Sequence, residues 1–434
     1  MLAGILICVI FVLFAALMMT KKLPTLFALP IMAVIFGLIV GLPATGEEGI
    51  VNHVLVGGAT SLASSYVAIL ISCWLSQLLY RTGVTNTIIK KAAELGGDKP
   101  FVVAVLMLLV SFFLFTSLLG TGAAAMVGSV VIPILISVGI PAASAATLFL
   151  TSLGAGYCVN PGNMTSTLNI AGMTQEQLNP AAMILAAGCI VFMLIHLVVV
   201  FKKNGMKLAF SAPAEETDAA AEKSVKGIRG FLACMTPLVV LVLTMALKWD
   251  AIVTFSIGVV WAAVFTYKGK WSQYVSLLVS CFNDGFKDGA PAAGLMFGIG
   301  MLLKAVGAST TQAAIAPFMA AITPQTVTAL VIMVCVLAPL ALYRGPLQIF
   351  GLGAGLLACI MGVGTFSPVF LGAIFYATSR WTFCACPTAT QAVWAANYVG
   401  MDPANCLKKV QLPHWIVTIV TIIIIAVVYT NGAF

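Results

Sequence analysis

Charged residues are scarce in this chain of 434 residues, of which 8% are charged and 61% hydrophobic. Soluble domains carry about 25% charged residues, so 21 bases and 13 acids are too few to cover a soluble protein of this length. The same scarcity excludes a disordered chain and a coiled coil. The apolar runs are long and unbroken, unlike the short alternating segments of a membrane β-barrel. The composition predicts an all-α membrane protein.

Motifs of enzymes and metal centres are also lacking. The 11 cysteines are scattered through apolar runs without a CxxC pair, so we expect packing residues rather than disulfides or a zinc site. No HExxH motif or nucleophile–base spacing occurs in the spans, so we expect neither an enzyme nor a bound cofactor. The formal net charge of +8 comes from short basic clusters between apolar runs. That pattern is typical of cytoplasmic loops, and we expect no nucleic-acid partner.

Apolar runs of a length that crosses a bilayer, about 17–25 residues, predict eight spans. Residues 1–20 lack a basic n-region, so we expect a retained span there rather than a signal peptide. Two longer tracts, 101–170 and 325–392, are interrupted by Gly, Pro and polar residues. The polar stretch 202–229 predicts a cytoplasmic linker. The eight runs lie at roughly 2–19, 24–42, 54–80, 181–201, 231–247, 251–267, 276–303 and 413–431.

The linker separates two copies of one unit. An offset of 224 positions aligns LLYRTGVT, which starts at Leu78, with LLKAVGAS, which starts at Leu302. We therefore predict a first repeat at 1–201 and a second at 230–434, each with about five transmembrane helices, a re-entrant hairpin and a broken helix. The predicted hairpins are 101–139 and 325–364, and the predicted broken helices are 141–170 and 366–392.

Five crossings in each repeat is an odd number, so the two repeats are predicted to have inverted topologies. With the N-terminus outside, sixteen of the 21 Lys and Arg residues fall on the cytoplasmic side, as the positive-inside rule requires. If each hairpin is instead two full spans, the number becomes seven and the loop 119–122 becomes a surface turn. Inverted repeats with interrupted helices are typical of secondary transporters.

Four segments break the helical pattern within the membrane tracts: 117–123, 154–163, 342–346 and 380–391. Irregular backbone is tolerated in a bilayer only where protein or a watery cavity surrounds it. Four breaks at related positions therefore predict one shared cavity, where helix N-termini would favour an anion. The alternative for each break is a simple kink or a close helix contact.

Arginine occurs four times, and two of the four lie in the predicted breaks. Arg344 lies at the tip of the second hairpin, and its planar guanidinium suits a carboxylate. We expect it to bind a substrate carboxylate, unless the hairpin is shallow and Arg344 reaches an interface. Arg380 is either a second ligand or a structural cap. The uncharged candidates for substrate binding, which alternatively satisfy only the broken backbone, are Gly120, Thr121, Gly122, Asn160, Asn163, Thr165, Gly345, Thr388, Thr390 and Gln391.

An acidic pair is a candidate for ion coupling. Asp284 and Asp288 are one helical turn apart in a membrane tract, with Lys287 between them. Carboxylates within a membrane commonly carry protons, so we predict that one or both couple transport to protons. The alternative is a structural salt bridge with Lys287.

The pattern resembles the ion transporter superfamily, whose halves each contain a re-entrant hairpin followed by an unwound helix. FFLFTSLLGTGAAAMVGSVVIPI with SLGAGYCVNPGN resembles the first half, and LYRGPLQIFGLGAG with CACPTATQ the second. The nearest patterns are gluconate–proton symporters, citrate carriers and C4-dicarboxylate carriers. The resemblance implies a scaffold and a mobile transport unit that moves like an elevator. Sodium-coupled dicarboxylate carriers of the superfamily have Ser-Asn-Thr at the hairpin tips, which this chain lacks.

We therefore predict a multi-pass protein of the cell inner membrane, a secondary transporter of a small organic anion with at least one carboxylate. Proton symport is favoured, with H⁺ or Na⁺ as the coupling ion and a homodimer as the expected assembly. The alternatives are a sodium-coupled carboxylate symporter and a cation/proton antiporter on the same scaffold.

Overall fold

The computed structural model describes residues 2–20, 22–204 and 225–431, which form helices and turns without a β-strand among them. Seven helices are long and apolar enough to cross a membrane, or eight if one bent pair counts as a span. The chain is an all-α membrane protein, which confirms that part of the predicted fold class. Most of the predicted linker 202–229, residues 205–224, lies outside the described residues.

The first half of the chain contains nine helices in the described residues. They are α1 (Leu2–Met19), α2 (Thr25–Ile39), α3 (Ile50–Arg81, which begins with a π-helical segment), α4 (Val84–Gly96), α5 (Pro100–Phe115), α6 (Thr121–Ser137), α7 (Ala142–Cys158), α8 (Pro161–Ala171) and α9 (Gln175–Asn204).

The second half follows the same order in its described residues. Its helices are α10 (Gly227–Met245), α11 (Ala251–Thr266), α12 (Trp271–Gly307), α13 (Ser309–Ile322), α14 (Val327–Leu337, continued by the 3₁₀ turn Ala338–Arg344), α15 (Gly353–Val363), α16 (Pro368–Cys384), α17 (Thr390–Tyr398) and α18 (Pro403–Thr430). In each half, two helices are followed by a long helix, a short one, a hairpin, a broken helix and a long final helix.

Helices of the same rank in the two halves contact each other. α3 packs on α12, α7 packs on α16, and α9 packs on α18. Such pairing is expected if the two halves are related by an approximate twofold axis, as the repeat prediction requires. The opposite orientation of the halves across the membrane stays a prediction.

The contact between α3 and α12 brings two backbones together. A Cβ atom at Gly300 would overlap the Gly58 carbonyl, and one at Gly285 would lie 2.6 Å from the backbone nitrogen of Trp74. Small residues allow membrane helices to approach this closely. We call this contact the α3–α12 interface. It forms the centre of a group that includes α1, α2, α10 and α11.

The hairpins and broken helices form the other group. α5 and α6 are the arms of the first hairpin, and α14 and α15 are those of the second. Pairs α7–α8 and α16–α17 are the broken helices, of which α7–α8 bends by 54°. α7 and α16 are buried over most of their length, whereas large apolar side chains of the outer helices, such as Val191, Ile195 and Val260, are exposed. A bilayer would cover such an apolar exterior.

Candidate functional site

The tip of the first hairpin is held by side chains of α3. Gly120 has φ 98° and ψ 161°, a conformation that glycine alone adopts readily. Ser72 Oγ donates to the Ser117 carbonyl at 3.1 Å, and the Leu119 N–H donates to Ser76 Oγ at 3.1 Å. The unwound backbone of the tip therefore finds its hydrogen bonds on the neighbouring helix.

Asn160 fastens the first broken helix to the same tip. Its Oδ1 accepts the Gly162 N–H at 3.0 Å, and its Nδ2 donates to the carbonyls of Phe115 and Leu118 at 3.1 and 3.3 Å. Asn160 is fully buried and caps α8. Its amide is used within the protein, which fits the alternative that Asn160 satisfies the broken backbone, and its role as a substrate ligand stays a prediction. Thr165 likewise donates to the Pro161 carbonyl of its own helix at 2.8 Å.

The tip of the second hairpin has an unusual backbone. Tyr343 and Arg344 have φ values of 56° and 59°, which non-glycine residues rarely adopt. Contacts to α16 hold this conformation, since the Ile349 N–H donates to Ser379 Oγ at 3.0 Å and Thr378 donates to the Leu347 carbonyl at 2.6 Å. The strained turn fixes the direction in which Arg344 leaves the backbone.

Arg380 lies on the far side of the second broken helix. Its side chain is fully buried and donates to the His414 carbonyl and to Thr418 Oγ1, both at 2.5 Å. α16 remains helical to Cys384, so Arg380 faces α18 instead of the break. These contacts fit the alternative role of Arg380 as a structural residue, and substrate binding by Arg380 stays a prediction.

The four breaks surround a cavity of about 170 Å³. Thr121 Oγ1 donates to Thr390 Oγ1 at 2.7 Å on its wall and joins the first hairpin to the second broken helix. Arg344 NH1 donates to the Phe350 carbonyl at 3.0 Å, and Arg344 is the one cationic side chain among the described residues of the wall. Six predicted ligands line the cavity: Gly120, Thr121, Asn163, Arg344, Thr390 and Gln391.

The other predicted uncharged ligands do not line the described wall. A Cβ atom at Gly345 would overlap the Leu340 carbonyl, so this glycine serves the turn itself. Thr388 Oγ1 lies 3.2 Å from Cys386 Sγ within the second break. Gly122 lies directly behind the wall, against the carboxylate of Asp288. Those absent from the wall are Gly122, Asn160, Thr165, Gly345 and Thr388.

The predicted acidic pair divides between two environments. Asp288 lines the cavity and accepts a hydrogen bond from Gln77 Nε2 at 2.7 Å. A Cβ atom at Gly122 would overlap the Asp288 carboxylate, so the missing side chain makes room for this acid at the N-terminus of α6. Asp284 does not line the cavity. It forms ion pairs with Arg81 and, at 3.4 Å, with Lys287, so the structural alternative describes Asp284.

Sequence reasoning missed several residues of the wall. Tyr157 lies within the predicted segment 154–163, and Thr382 and Phe383 lie within 380–391, but none of the three was chosen as a candidate. They are aromatic or lie in the last helical turn before the unwound residues, and counting the side chains of that turn as candidates would have included them. Cys73 also lines the cavity, and Gln77 binds Asp288, but both lie in an apolar run of α3 that carries no signal of a site.

The chemistry of the cavity is that of reversible binding. Its wall combines one guanidinium and one carboxylate with hydroxyl and amide groups and with the rings of Phe350 and Phe383. No group of three or more His, Cys, Asp or Glu among the described residues is placed to hold a metal ion. The site can therefore hold a small polar molecule through hydrogen bonds and charge.

Comparisons with known proteins identify the fold. No known family model matches this chain, and no curated protein matches its sequence. Its structure is similar to that of the Alcanivorax borkumensis YdaH transporter, a crystal structure described as having an unusual topology. The TM-score is 0.51, the sequence identity is 14%, and the match covers 87% of each chain. At this identity the likeness shows a shared multi-span helical fold and nothing more specific.

Proposed function

We propose that this protein is a secondary transporter of a small organic anion and that Arg344 binds the anion's carboxylate. One observation carries the proposal: Arg344, which follows a strained backbone turn, lies on the wall of a cavity to which all four breaks contribute. A guanidinium within a membrane is costly unless it is paired, and a substrate carboxylate is a suitable partner. The fold shared with a transporter supports the same conclusion.

Asp288 is the proposed carrier of the coupling proton. Its carboxylate lies on the same cavity wall as Arg344 and Tyr157, next to Gln77 and Cys73 of α3 and to Gly120 and Gly122 of the first hairpin. Protonation removes a negative charge from the cavity, so the cavity holds an anion more tightly. Binding of proton and anion is then mutually favourable, as symport requires. The hairpin tips lack Ser-Asn-Thr, which favours protons over sodium.

The two groups of helices support an elevator-type movement, which the resemblance to the ion transporter superfamily also implies. The group centred on the α3–α12 interface would be the scaffold, and the hairpins and broken helices would be the transport unit. Among the described residues, the hydrogen bonds of the second hairpin tip run within the tip and to α16, all inside the proposed transport unit. Arg344 would therefore travel with that unit.

Uptake into proteoliposomes tests the proposal. A panel of radiolabelled carboxylates is presented with a proton gradient and, separately, with a sodium gradient. We expect one class of acid to accumulate when the outside is more acidic, and sodium to have little effect. A cation/proton antiporter is the second candidate, because Asp288 places a carboxylate on the wall. Exchange of cations for protons, without accumulation of any acid under either gradient, would overturn the proposal in its favour.

A further inference from the structure

We infer that the cavity selects organic anions with a single carboxylate and discriminates against di- and tricarboxylates. The inference rests on the proposed function and specifies its substrate class. It follows from the charges on the wall, which holds one cation, Arg344, and one acid, Asp288, among its described residues.

The guanidinium of Arg344 can bind one carboxylate. NH1 donates to the Phe350 carbonyl at 3.0 Å. The rest of the guanidinium has no hydrogen-bond acceptor among the described residues, and the side chain lines the cavity. A carboxylate can therefore approach the open side of this planar group and accept two parallel hydrogen bonds.

A second carboxylate would have no cation to bind. Arg380 is the other arginine in a predicted break. Its guanidinium donates hydrogen bonds to the His414 carbonyl and to Thr418, away from the cavity. Arg81 is paired with Asp284. The remaining ionisable group on the wall is Asp288, whose carboxylate, when ionised, repels another anion strongly where little water screens it. An additional substrate carboxylate is therefore disfavoured by repulsion as well as by the lack of a partner.

The rest of the wall is neutral and the space is small. Thr121, Thr390, Asn163 and Gln391 place hydroxyl and amide groups on the wall, which suit an uncharged polar part of a substrate. Asn163 and Gln391 also each donate to a backbone carbonyl, of Tyr157 and Thr382 respectively. The volume of about 170 Å³ is close to that of a protein cavity of roughly 150 Å³ that holds benzene. The site therefore fits a short monocarboxylate better than a branched tricarboxylate.

Matched four-carbon acids test the inference. Uptake of butyrate is compared with that of succinate, and uptake of 3-hydroxybutyrate with that of malate, at pH 7.5 in proteoliposomes with an imposed proton gradient. We expect kcat/KM to be at least about tenfold higher for the monocarboxylate of each pair, a difference of about 1.4 kcal/mol. Equal or better uptake of the dicarboxylates would overturn the inference and leave the proposed function standing. Failure of every carboxylate to enter would overturn both.

The substitution Asp288→Asn tests the effect of the wall's negative charge separately from the effect of substrate size. Equilibrium binding to the protein in detergent does not depend on coupling to the proton gradient. In this assay the substitution should reduce the ratio of the affinities for butyrate and succinate at least about fivefold. Asp284→Asn is the matched control, since Asp284 lies one turn away and off the wall, and it should leave the ratio unchanged. If Asp288→Asn leaves the ratio as it is in the unmodified protein, the repulsion by Asp288 is refuted.

Discussion

Thr121 and Thr390 are 269 positions apart in the sequence, yet their hydroxyl groups are hydrogen-bonded at 2.7 Å. Thr121 is the first residue of α6 in the first hairpin, and Thr390 is the first residue of α17 in the second broken helix. The N-termini of two helices from different halves therefore meet on the cavity wall. Free N–H groups and the helix dipole make such ends favourable to negative charge, which adds to the effect of Arg344.

Arg344→Gln should weaken binding of the transported acid. The substitution removes a charge-assisted hydrogen bond worth about 1.5–3 kcal/mol, so KM should rise about ten- to hundredfold. Arg344→Lys should recover only part of the loss, because an ammonium cannot form the two parallel hydrogen bonds. Initial rates of uptake in proteoliposomes measure both effects. Arg229→Gln, in an exposed residue away from the cavity, is the control, and an Arg344→Gln protein with an unchanged KM would contradict the proposed site.

Asp288→Asn should uncouple uptake from the proton gradient. An amide cannot release a proton, so accumulation of the acid against its gradient should be lost while exchange of labelled for unlabelled acid continues. Asp284→Asn should retain coupling, because Asp284 is paired with Arg81 and Lys287 off the wall. Uptake with and without an imposed pH difference checks both variants. Coupling lost in Asp284→Asn but kept in Asp288→Asn would reverse the assignment.

Gly122→Ala should impair transport because the added methyl group collides with a neighbouring side chain. Its methyl group would overlap the Asp288 carboxylate, and such overpacking costs about 1–3 kcal/mol. We expect slower uptake and an altered dependence on pH, measured as initial rates between pH 5.5 and 8. Gly307→Ala is the matched control, since a Cβ atom there meets nothing within 4 Å. Equal activity of the two variants would show that Gly122 and Asp288 are not in close contact.

Arg380→Gln should lower stability more than it changes substrate affinity. The guanidinium satisfies the His414 carbonyl and Thr418 inside the protein, and a buried polar group left without its partner costs about 1–3 kcal/mol. The melting temperature of the purified protein in detergent should fall, with KM of the remaining activity close to normal. Arg344→Gln should instead raise KM and leave the melting temperature close to normal. A large rise in KM for Arg380→Gln at unchanged stability would restore Arg380 as a ligand.

The breaks could be predicted from the sequence because their causes are local. Gly120 is required at the first tip by its backbone conformation, and Pro161 begins α8 after the break in the first broken helix. Both residue types stand out within an apolar tract. The all-α membrane fold followed from composition for the same reason, since a bilayer leaves the backbone few alternatives.

The direction of each side chain could not be predicted in this way. Arg344 and Arg380 both occur in predicted breaks, but one lines the cavity and the other faces α18. The difference arises from how far α16 remains helical and from Thr418, 38 positions away from Arg380. Gln77 was missed because its partner, Asp288, is 211 positions away. Such contacts are set by packing between halves, which a local pattern does not contain.

Backbone contact along the α3–α12 interface has a consequence for the transport cycle. Two helices in contact at Gly58, Gly300 and Gly285 leave no space for lipid between them, and we expect them to move as one body. Asp288 belongs to this rigid pair, whereas Arg344 belongs to a hairpin outside it. If the hairpin moves while α3 and α12 stay in place, the distance between Arg344 and Asp288 changes in every transport cycle. The electrostatic work of separating these opposite charges then contributes to the energy barrier between the inward-open and outward-open forms.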